Sequence, residues 1–258
     1  MVILAIGDIC ADNGVNFLRQ KLPHLRKLYD VDLVLANGEN SATSGIGINE
    51  ATANRIFTSG VDIITTGNHA FNSTDYLNLY ENTYGLLRPY NLGKGIPGQG
   101  NMVYDKGRYQ VQVVNLLGCS YMSMAATNFY DAMDEILTDS TTPIIIVDFH
   151  AEYTSEKIAF ARSFDGQLSM VYGTHTHVQT ADECILPNGT AYITDIGMTG
   201  AKESVIGVDI QKAIERQRYA TPTRMTPAKG PSMLQGVLAE IDEKSGIAVK
   251  IQRLQIEE

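Results

Sequence analysis

The chain has 258 residues, 44% of them hydrophobic, which is ample for a large buried core. A formal net charge of −9, with no block of Lys/Arg, excludes a protein that grips duplex nucleic acid through its phosphates, whereas a small phosphate ester stays open because local cations can outweigh the overall charge. The three cysteines Cys10, Cys119 and Cys184 are widely spaced and suggest no disulfide framework, and neither a basic leader nor an apolar run of about 18 residues is present, so a soluble cytoplasmic protein without a membrane partner is expected.

The first 70 residues alternate β-rich runs with helical stretches, the pattern of βαβ units and parallel strands. Val2 to Ile6, Val31 to Ala36 and Val61 to Thr65 read as the strands. Val15 to Tyr29 reads as a helix from the spacing of Phe17, Leu18, Leu22, Leu25 and Leu28, and Asn49 to Thr58 as a second one capped by Asn49. Asn72 to Gly100 is polar and rich in Gly and Pro, which predicts loop. Met102 to Tyr104 and Tyr109 to Leu116 form a predicted hairpin through Asp105-Lys106-Gly107, and Pro143 to Val147 and Leu168 to Tyr172 supply two more buried strands. Gly200 to Ser232, with three prolines, is expected to cover the site, and Leu234 to Ile241 with Ile247 to Leu254 closes the chain as a hairpin.

Five of the hydrophobic runs stop at groups able to bind metal: Asp8, Glu39-Asn40, Asn68-His69, His150, and His175 with His177. In open α/β sheets ligands bind beyond the carboxyl ends of the strands, where side chains from separate loops converge. Any one of these residues has a plain structural reading, as a turn or a hydrogen-bonded core group. Five together, using four of the five histidines, describe a two-metal hydrolase site. Strand alternation is expected to put His175 and His177 on one side. Because the candidate ligands run from residue 8 to residue 177, a single domain over 1–258 is predicted, with cap or loop segments near 72–100 and 200–232.

Imidazoles, carboxylates and amide oxygens without a thiolate disfavour a closed structural zinc site and suit iron, manganese or catalytic zinc. Two ions need a shared ligand, and Glu39 is the candidate bridge. Such a centre makes a nucleophile of water near neutral pH and offsets charge on the phosphoryl oxygens.

The blocks Gly7-Asp8, Asn37-Gly38-Glu39-Asn40, Gly67-Asn68-His69-Ala70-Phe71, Asp148-Phe149-His150-Ala151-Glu152 and Thr174-His175-Thr176-His177-Val178-Gln179-Thr180 resemble, in order, those of the calcineurin-like metallophosphoesterases, and in wording their YmdB-like branch. The similarity runs over nearly the whole chain. It implies an α/β/β/α sandwich, two mixed sheets flanked by helices with the site at the strand carboxyl ends. It also implies one metal on Asp8, Glu39, Asn40 and His177 and the other on Glu39, Asn68, His150 and His175, with His69 the catalytic imidazole rather than a ligand. The branch is associated with iron and with 2′,3′-cyclic-nucleotide phosphodiesterase activity, releasing the 2′ oxygen to leave a nucleoside 3′-phosphate.

One departure is visible. The superfamily's first block often reads Asp-x-His, and here Cys10 stands at the histidine position; Asn40 is the candidate to fill the vacancy, and the Cys10 thiol either coordinates or, the favoured reading, stays inert in the core. Asp148, Glu152 and Asp195 are candidates for orienting the ligating imidazoles, or for capping turns. Ser44-Gly45-Ile46-Gly47 is a candidate substrate-facing loop or a plain turn, Tyr121-Met122-Ser123-Met124 a base pocket or core packing, and His24 an exposed helix residue. A phosphomonoesterase or nucleotidase with the same metals is the nearest rival reading, and a regulatory nucleotide-binding protein the next. The absence of GxGxxG after the first strand and of GxxxxGK[ST] argues against a dehydrogenase or kinase. The expected partner is a small phosphate ester, and a homo-oligomer is left open.

Overall fold

The computed structural model describes residues 1–258, and in it the chain builds two sheets in turn. It lays down β1 (Val2–Ile6), β2 (Asp8–Ile9), β3 (Leu33–Asn37) and β4 (Ile63–Thr65), with α1 (Ala11–Leu28) and α2 (Glu50–Thr58) between them. After α3 (Tyr76–Asn82) it crosses to a second sheet of β5 (Asn101–Asp105), β6 (Gln110–Leu117), β7 (Ile145–His150), β8 (Met170–Thr174), β9 (Cys184–Ile185) and β10 (Ala191–Ile193). α4 (Phe129–Asp139) and α5 (Thr154–Ser163) flank that sheet. The chain then returns to the first sheet with β11 (Met198–Ala201), β12 (Ser232–Ile241) and β13 (Ala248–Glu257), with α6 (Ile210–Tyr219) between the first two of these.

Both sheets are mixed. β1, β3 and β4 are parallel, and β12 runs antiparallel to β1, β11 and β13. In the second sheet β6, β7, β8 and β10 are parallel, closed at the edges by antiparallel β5 and β9.

Strand alternation explains the layers, because both faces of these strands are apolar. In β1, Leu4 and Ile6 face a cluster with Leu18, Leu22 and Ile56 of α1 and α2. Ile3 and Ala5 face the other sheet, packing in one cluster with Val113, Ile146 and Tyr172. The opposite face of the second sheet, Val147, Phe149 and Val171, packs on Phe129 and Phe160 of α4 and α5. Helix, sheet, sheet, helix is therefore the order of layers, as the sequence resemblance implies.

Strands β7, β8 and β13 extend two or three residues further toward the carboxyl end than their hydrophobic runs suggest. The polar tails stay in the ladder: Asn115 pairs with Asp148, and His150 with Thr174, because each strand end is buried between neighbours. The loop expected over 72–100 contains α3 and two bridges, Ile64 to Leu86 and Leu87 to Gln99, that prolong the first sheet's edge. Helix α1 begins at Ala11 rather than Val15. Its polar first turn gave no apolar signal, but it presses against β11 so tightly that a Cβ on Gly14 would lie 2.2 Å from the Thr199 carbonyl oxygen. Helix α6 interrupts the predicted covering segment. No helix is long and apolar enough to cross a membrane.

Candidate metal centre

All seven proposed ligands and His69 sit at the carboxyl ends of β1, β3, β4, β7 and β8, along one rim where the two sheets meet. Asp8, Glu39, Asn40, Asn68 and His150 are buried, and His69, His175 and His177 are partly open. Gly67 makes the convergence sterically feasible: a Cβ there would lie 2.2 Å from His150 Cδ2 and 2.5 Å from Glu39 Oε2.

Each of the three imidazoles has a hydrogen-bond acceptor behind it. His150 Nδ1 lies 2.9 Å from Thr174 Oγ1, whose own hydroxyl proton goes to Asp148 Oδ1 at 2.7 Å. Having given that proton away, Thr174 Oγ1 accepts from the ring. His175 Nε2 lies 3.1 Å from Glu152 Oε2, and His177 Nδ1 lies 2.8 Å from the Ile206 carbonyl oxygen, which can only accept. A proton fixed at each of these positions leaves the other nitrogen's lone pair facing inward, the arrangement that metal-binding histidines use.

The inward atoms converge. Around His150 Nε2 stand Asn68 Oδ1 at 3.0 Å, His175 Nδ1 at 3.1 Å and Glu39 Oε1 at 3.1 Å, four electron-rich atoms with no proton fixed between them. Donors at right angles about 2.1 Å from one ion stand about 3.0 Å apart, so this spacing fits a cation at their centre. Glu39, His150 and His175 alone offer ligand atoms within 4.8 Å of one another. The other group is more open: His177 Nε2 is 3.6 Å from Asp8 Oδ1 and 3.1 Å from Asn40 Nδ2. Asp8 Oδ1 is buried without any hydrogen-bond partner, which a cation would supply. As oriented, Asn40 turns its nitrogen toward His177 and its oxygen toward His69, so service as a ligand requires the amide to be reversed.

The carboxylates are held by their far oxygens, His175 N–H donating to Asp8 Oδ2 at 3.2 Å and His69 N–H to Glu39 Oε2 at 3.0 Å. Burial opposes ionisation of Glu39, yet His150 outweighs it and holds the carboxyl below its ordinary range; His177 and His150 do the same for Asp8. Burial likewise opposes a charge on His150, and Glu39 and Asp8 overturn it, raising its pKa. Burial and the neighbouring His150 push His175 down to about 4. The cluster therefore calls for positive charge at its middle, a proton in its metal-free form.

His175 and His177 do not reach the cluster by alternation. Strand β8 ends at Thr174, and both histidines have left-handed backbone, with φ of 98° and 62°. The turn sends one ring to His150 and the other to Asp8. Lys157, fully buried, braces this turn by donating at 2.8 Å to both the Thr174 carbonyl and Asp195 Oδ2, and Asp195 accepts the Thr176 and Gly197 N–H groups. Of the three carboxylates read as orienting groups, Glu152 thus touches an imidazole, Asp148 acts through Thr174, and Asp195 holds backbone. Lys157 escaped the sequence reading, and Thr174 and Ser123, though within stretches it named, were given no role in positioning ligands; Ser123 accepts from Asn68 Nδ2 at 3.1 Å. No local pattern marks a residue whose partner is tens of positions away.

Cys10 faces the rear nitrogen of His177, Sγ to Nδ1 at 3.7 Å, on the side away from Asp8 and Asn40. The Tyr121 to Met124 stretch is neither core nor cavity wall, with Tyr121 83% exposed. His24 is exposed, and Cys10, Cys119 and Cys184 are free thiols.

His69 donates from Nδ1 to Asn40 Oδ1 at 3.0 Å and lines a cavity of about 380 Å³ with Glu39, His175 and His177. Ser44 to Ile46, Ile206 to Val208 and Met225 to Pro227 complete its walls. The last two of these stretches come from residues 200–232. Residues 72–100 contribute none of the lining and border a separate cavity of about 750 Å³.

A family model described as YmdB-like protein matches residues 4–254. The chain belongs to the YmdB-like family. It is 40% identical to the 2′,3′-cyclic-nucleotide 2′-phosphodiesterase of Bacillus subtilis (strain 168), over 99% of this chain and 97% of that protein. A crystal structure of a novel phosphatase from Mycoplasma pneumoniae superposes with a TM-score of 0.94 at 34% identity, covering 100% of this chain and 93% of the other. A calcineurin-like phosphoesterase from Bacillus subtilis shares the fold, with a TM-score of 0.59 at 11% identity over 100% of this chain and 90% of its own. The chain thus has the calcineurin-like fold that the ordered blocks implied.

Proposed function

We propose that this chain is a dinuclear-metal phosphodiesterase that opens 2′,3′-cyclic nucleotides to nucleoside 3′-phosphates, all 258 residues acting as one domain. The observation that carries the reading is the fixed tautomer of each of His150, His175 and His177: each ring is tied from behind, His150 and His177 through Nδ1 and His175 through Nε2, and turns its other nitrogen toward the cluster that holds the buried carboxylates of Glu39 and Asp8. The name of the similar Bacillus subtilis protein supports the substrate class.

Glu39, Asn68, His150 and His175 would hold one ion and Asp8, Glu39, Asn40 and His177 the other, with iron our first choice and manganese or zinc the alternatives. Bound there, the ions would supply Lewis acidity toward the phosphoryl oxygens and lower the pKa of the attacking water. The protein's own part is orientation and proton transfer. With its amide reversed to ligate, Asn40 would turn Nδ2 toward His69 Nδ1, so that Nδ1 accepts and the ring's own proton sits on Nε2, from which it can pass to the departing 2′ oxygen in the cavity. That oxygen remains tethered to the ribose, so no leaving fragment has to escape before the ring opens. Glu152 and the Thr174–Asp148 pair keep His175 and His150 in the ligating tautomer throughout.

Purified protein should contain about two metal ions by mass spectrometry. It should prefer 2′,3′-cyclic AMP to 3′,5′-cyclic AMP and to simple monoesters. His69→Ala should keep the metal and lose about 10²- to 10⁴-fold in kcat. Preference for monoesters would assign the centre to a phosphatase, as the similar Mycoplasma pneumoniae structure is described. Undiminished hydrolysis by His69→Ala at full metal content would remove that residue from the chemistry.

A further inference from the structure

The backbone around residue 206 is at odds with the residue it carries. Val205 and Val208 exchange hydrogen bonds, Val205 N–H to Val208 O at 2.9 Å and Val208 N–H to Val205 O at 3.0 Å, so Ile206 and Gly207 are the central pair of a two-residue hairpin turn. Both have positive φ, 48° and 93°. Turns of that hand favour Asn, Asp or Gly at the first central position, and a β-branched residue there is a genuine outlier. A side chain held against its backbone preference points to a use for it.

That use is visible in the cavity. The Ile206 side chain is half exposed where it lines the metal-centre cavity, while its carbonyl oxygen accepts the His177 Nδ1 proton. The turn is clamped in place: Val208 bridges to Pro227, Ala228 N–H bonds the Gly207 carbonyl at 2.9 Å, and Asp209 N–H bonds Thr226 O at 2.9 Å. Across the opening, Gly45 comes so close to the Pro227 ring that a Cβ would lie 3.1 Å from its Cγ. The cavity thus has an ionic floor, made by the metal cluster, and an apolar arch made by Ile46, Ile206, Val208, Met225 and Pro227. Its volume of about 380 Å³ lies within the range of small-molecule sites.

We propose that Ile206 is a specificity-determining residue whose side chain, with the rest of this arch, forms a slot for the nucleobase of the substrate. The inference rests on the phosphodiesterase reading for its substrate class and adds the part of the substrate that the arch recognises. An apolar arch has few groups to read a base edge, so it selects for the presence of a base and sorts bases mainly by apolar area.

The test is a calorimetric comparison, on full-length protein loaded with Mn²⁺, of adenosine 3′-phosphate with the 3-phosphate of methyl ribofuranoside, which lacks the base. The wild type is expected to bind the nucleotide about tenfold more tightly, and Ile206→Asn to abolish most of that preference. Asn suits this turn position, so the same variant is expected to keep or raise Tm and to keep its metal content, which a merely structural role for Ile206 would not allow. Met225→Ala leaves the turn untouched and is expected to reduce the preference several-fold, and it carries the test should Ile206→Asn fail to fold. Equal binding of the two ligands by the wild type, or a preference unchanged in the folded variants, overturns the slot. Nucleotide preference without hydrolysis of 2′,3′-cyclic AMP leaves the slot standing and removes the phosphodiesterase reading. Equal kcat/KM on 2′,3′-cyclic AMP and the base-free cyclic ester does the reverse.

Discussion

The two halves of the candidate centre are built differently. Around His150 the donors stand about 3 Å apart, every back-side partner but Glu152 is a buried side chain, and His150 itself is the last residue of a central strand. Around His177 the spacing widens to 3.6 Å at Asp8 Oδ1, the ring is supported by the carbonyl of a surface turn, and the residue lies in a left-handed loop against the cavity. A rigid half anchored in the sheets thus adjoins a half that shares its scaffolding with the substrate-facing arch. In the proposed scheme one ion position would serve as foundation and the other would answer to what occupies the cavity.

The largest effect that would test this comparison comes from Glu39, the only carboxylate that both halves share in the proposed ligand scheme. Glu39→Ala is expected to empty both positions and lower kcat/KM by more than about 1000-fold, roughly 4 kcal/mol of transition-state stabilisation. Retention of one full equivalent of metal by that variant would mean that Glu39 does not bridge.

The next effect separates the halves. His150→Ala removes a fully buried ring beside the Glu39 carboxylate and is expected to destabilise the protein by about 3 kcal/mol as well as to release metal. His177→Ala, at a partly open loop, is expected to lose one equivalent of metal with a stability change of about 1 kcal/mol. Paired urea melts and metal analyses read both quantities, and equal losses of stability would erase the distinction between foundation and rim.

A smaller effect is expected at Glu152. Its carboxylate is 47% exposed, so Glu152→Gln should loosen His175 and weaken metal binding by about 10- to 100-fold while leaving the fold intact. Unaltered affinity in a metal-competition titration would reduce Glu152 to a surface residue.

The smallest effect is in the pH dependence of the metal-free protein. His150 and His177 have pKa values raised above 6.5, so their contribution to stability is complete below pH 6.5 and is lost as pH rises through the raised values. His175, pushed down to about 4, is neutral in the folded chain here, and it opposes the fall only slightly, as the unfolded chain sheds its remaining proton just above pH 6.5. The Tm of metal-free protein should therefore fall between pH 6.5 and 9, and Mn²⁺ added at pH 7 should release protons. A flat Tm profile, or metal uptake without proton release, would contradict the charge requirement inferred for the cluster.

Legibility in the sequence followed distance along the chain. Helix α2 could be read from its Asn49 cap, and the cap is there, with Asn49 accepting from Thr52 N–H at 3.0 Å. Strands β1 and β7 could be read from their apolar runs. Helix α5 could not, because its buried face includes Lys157 and carries little apolar periodicity; the lysine is inside only because Asp195 and the Thr174 carbonyl, brought from another strand, meet it there. The extra residues at the ends of β7 and β8 were hidden for a similar reason, since Asp148 and His150 belong to the ladder through neighbours and not through hydrophobicity.

The sequence by itself determined the donor set, because residue type is local and a hydrophobic run that stops at Asp, Glu, Asn or His marks where a strand end meets solvent or a ligand. Only the tertiary structure decided how those donors divide. His175 and His177 are two residues apart, yet their left-handed backbone turns them to different halves, and the tautomers of the His150, His175 and His177 rings are set by Thr174, Glu152 and Ile206, each more than 20 positions away along the chain. A lone pair's direction depends on which acceptor stands behind the ring, and that is fixed by packing between strands that no stretch of sequence contains.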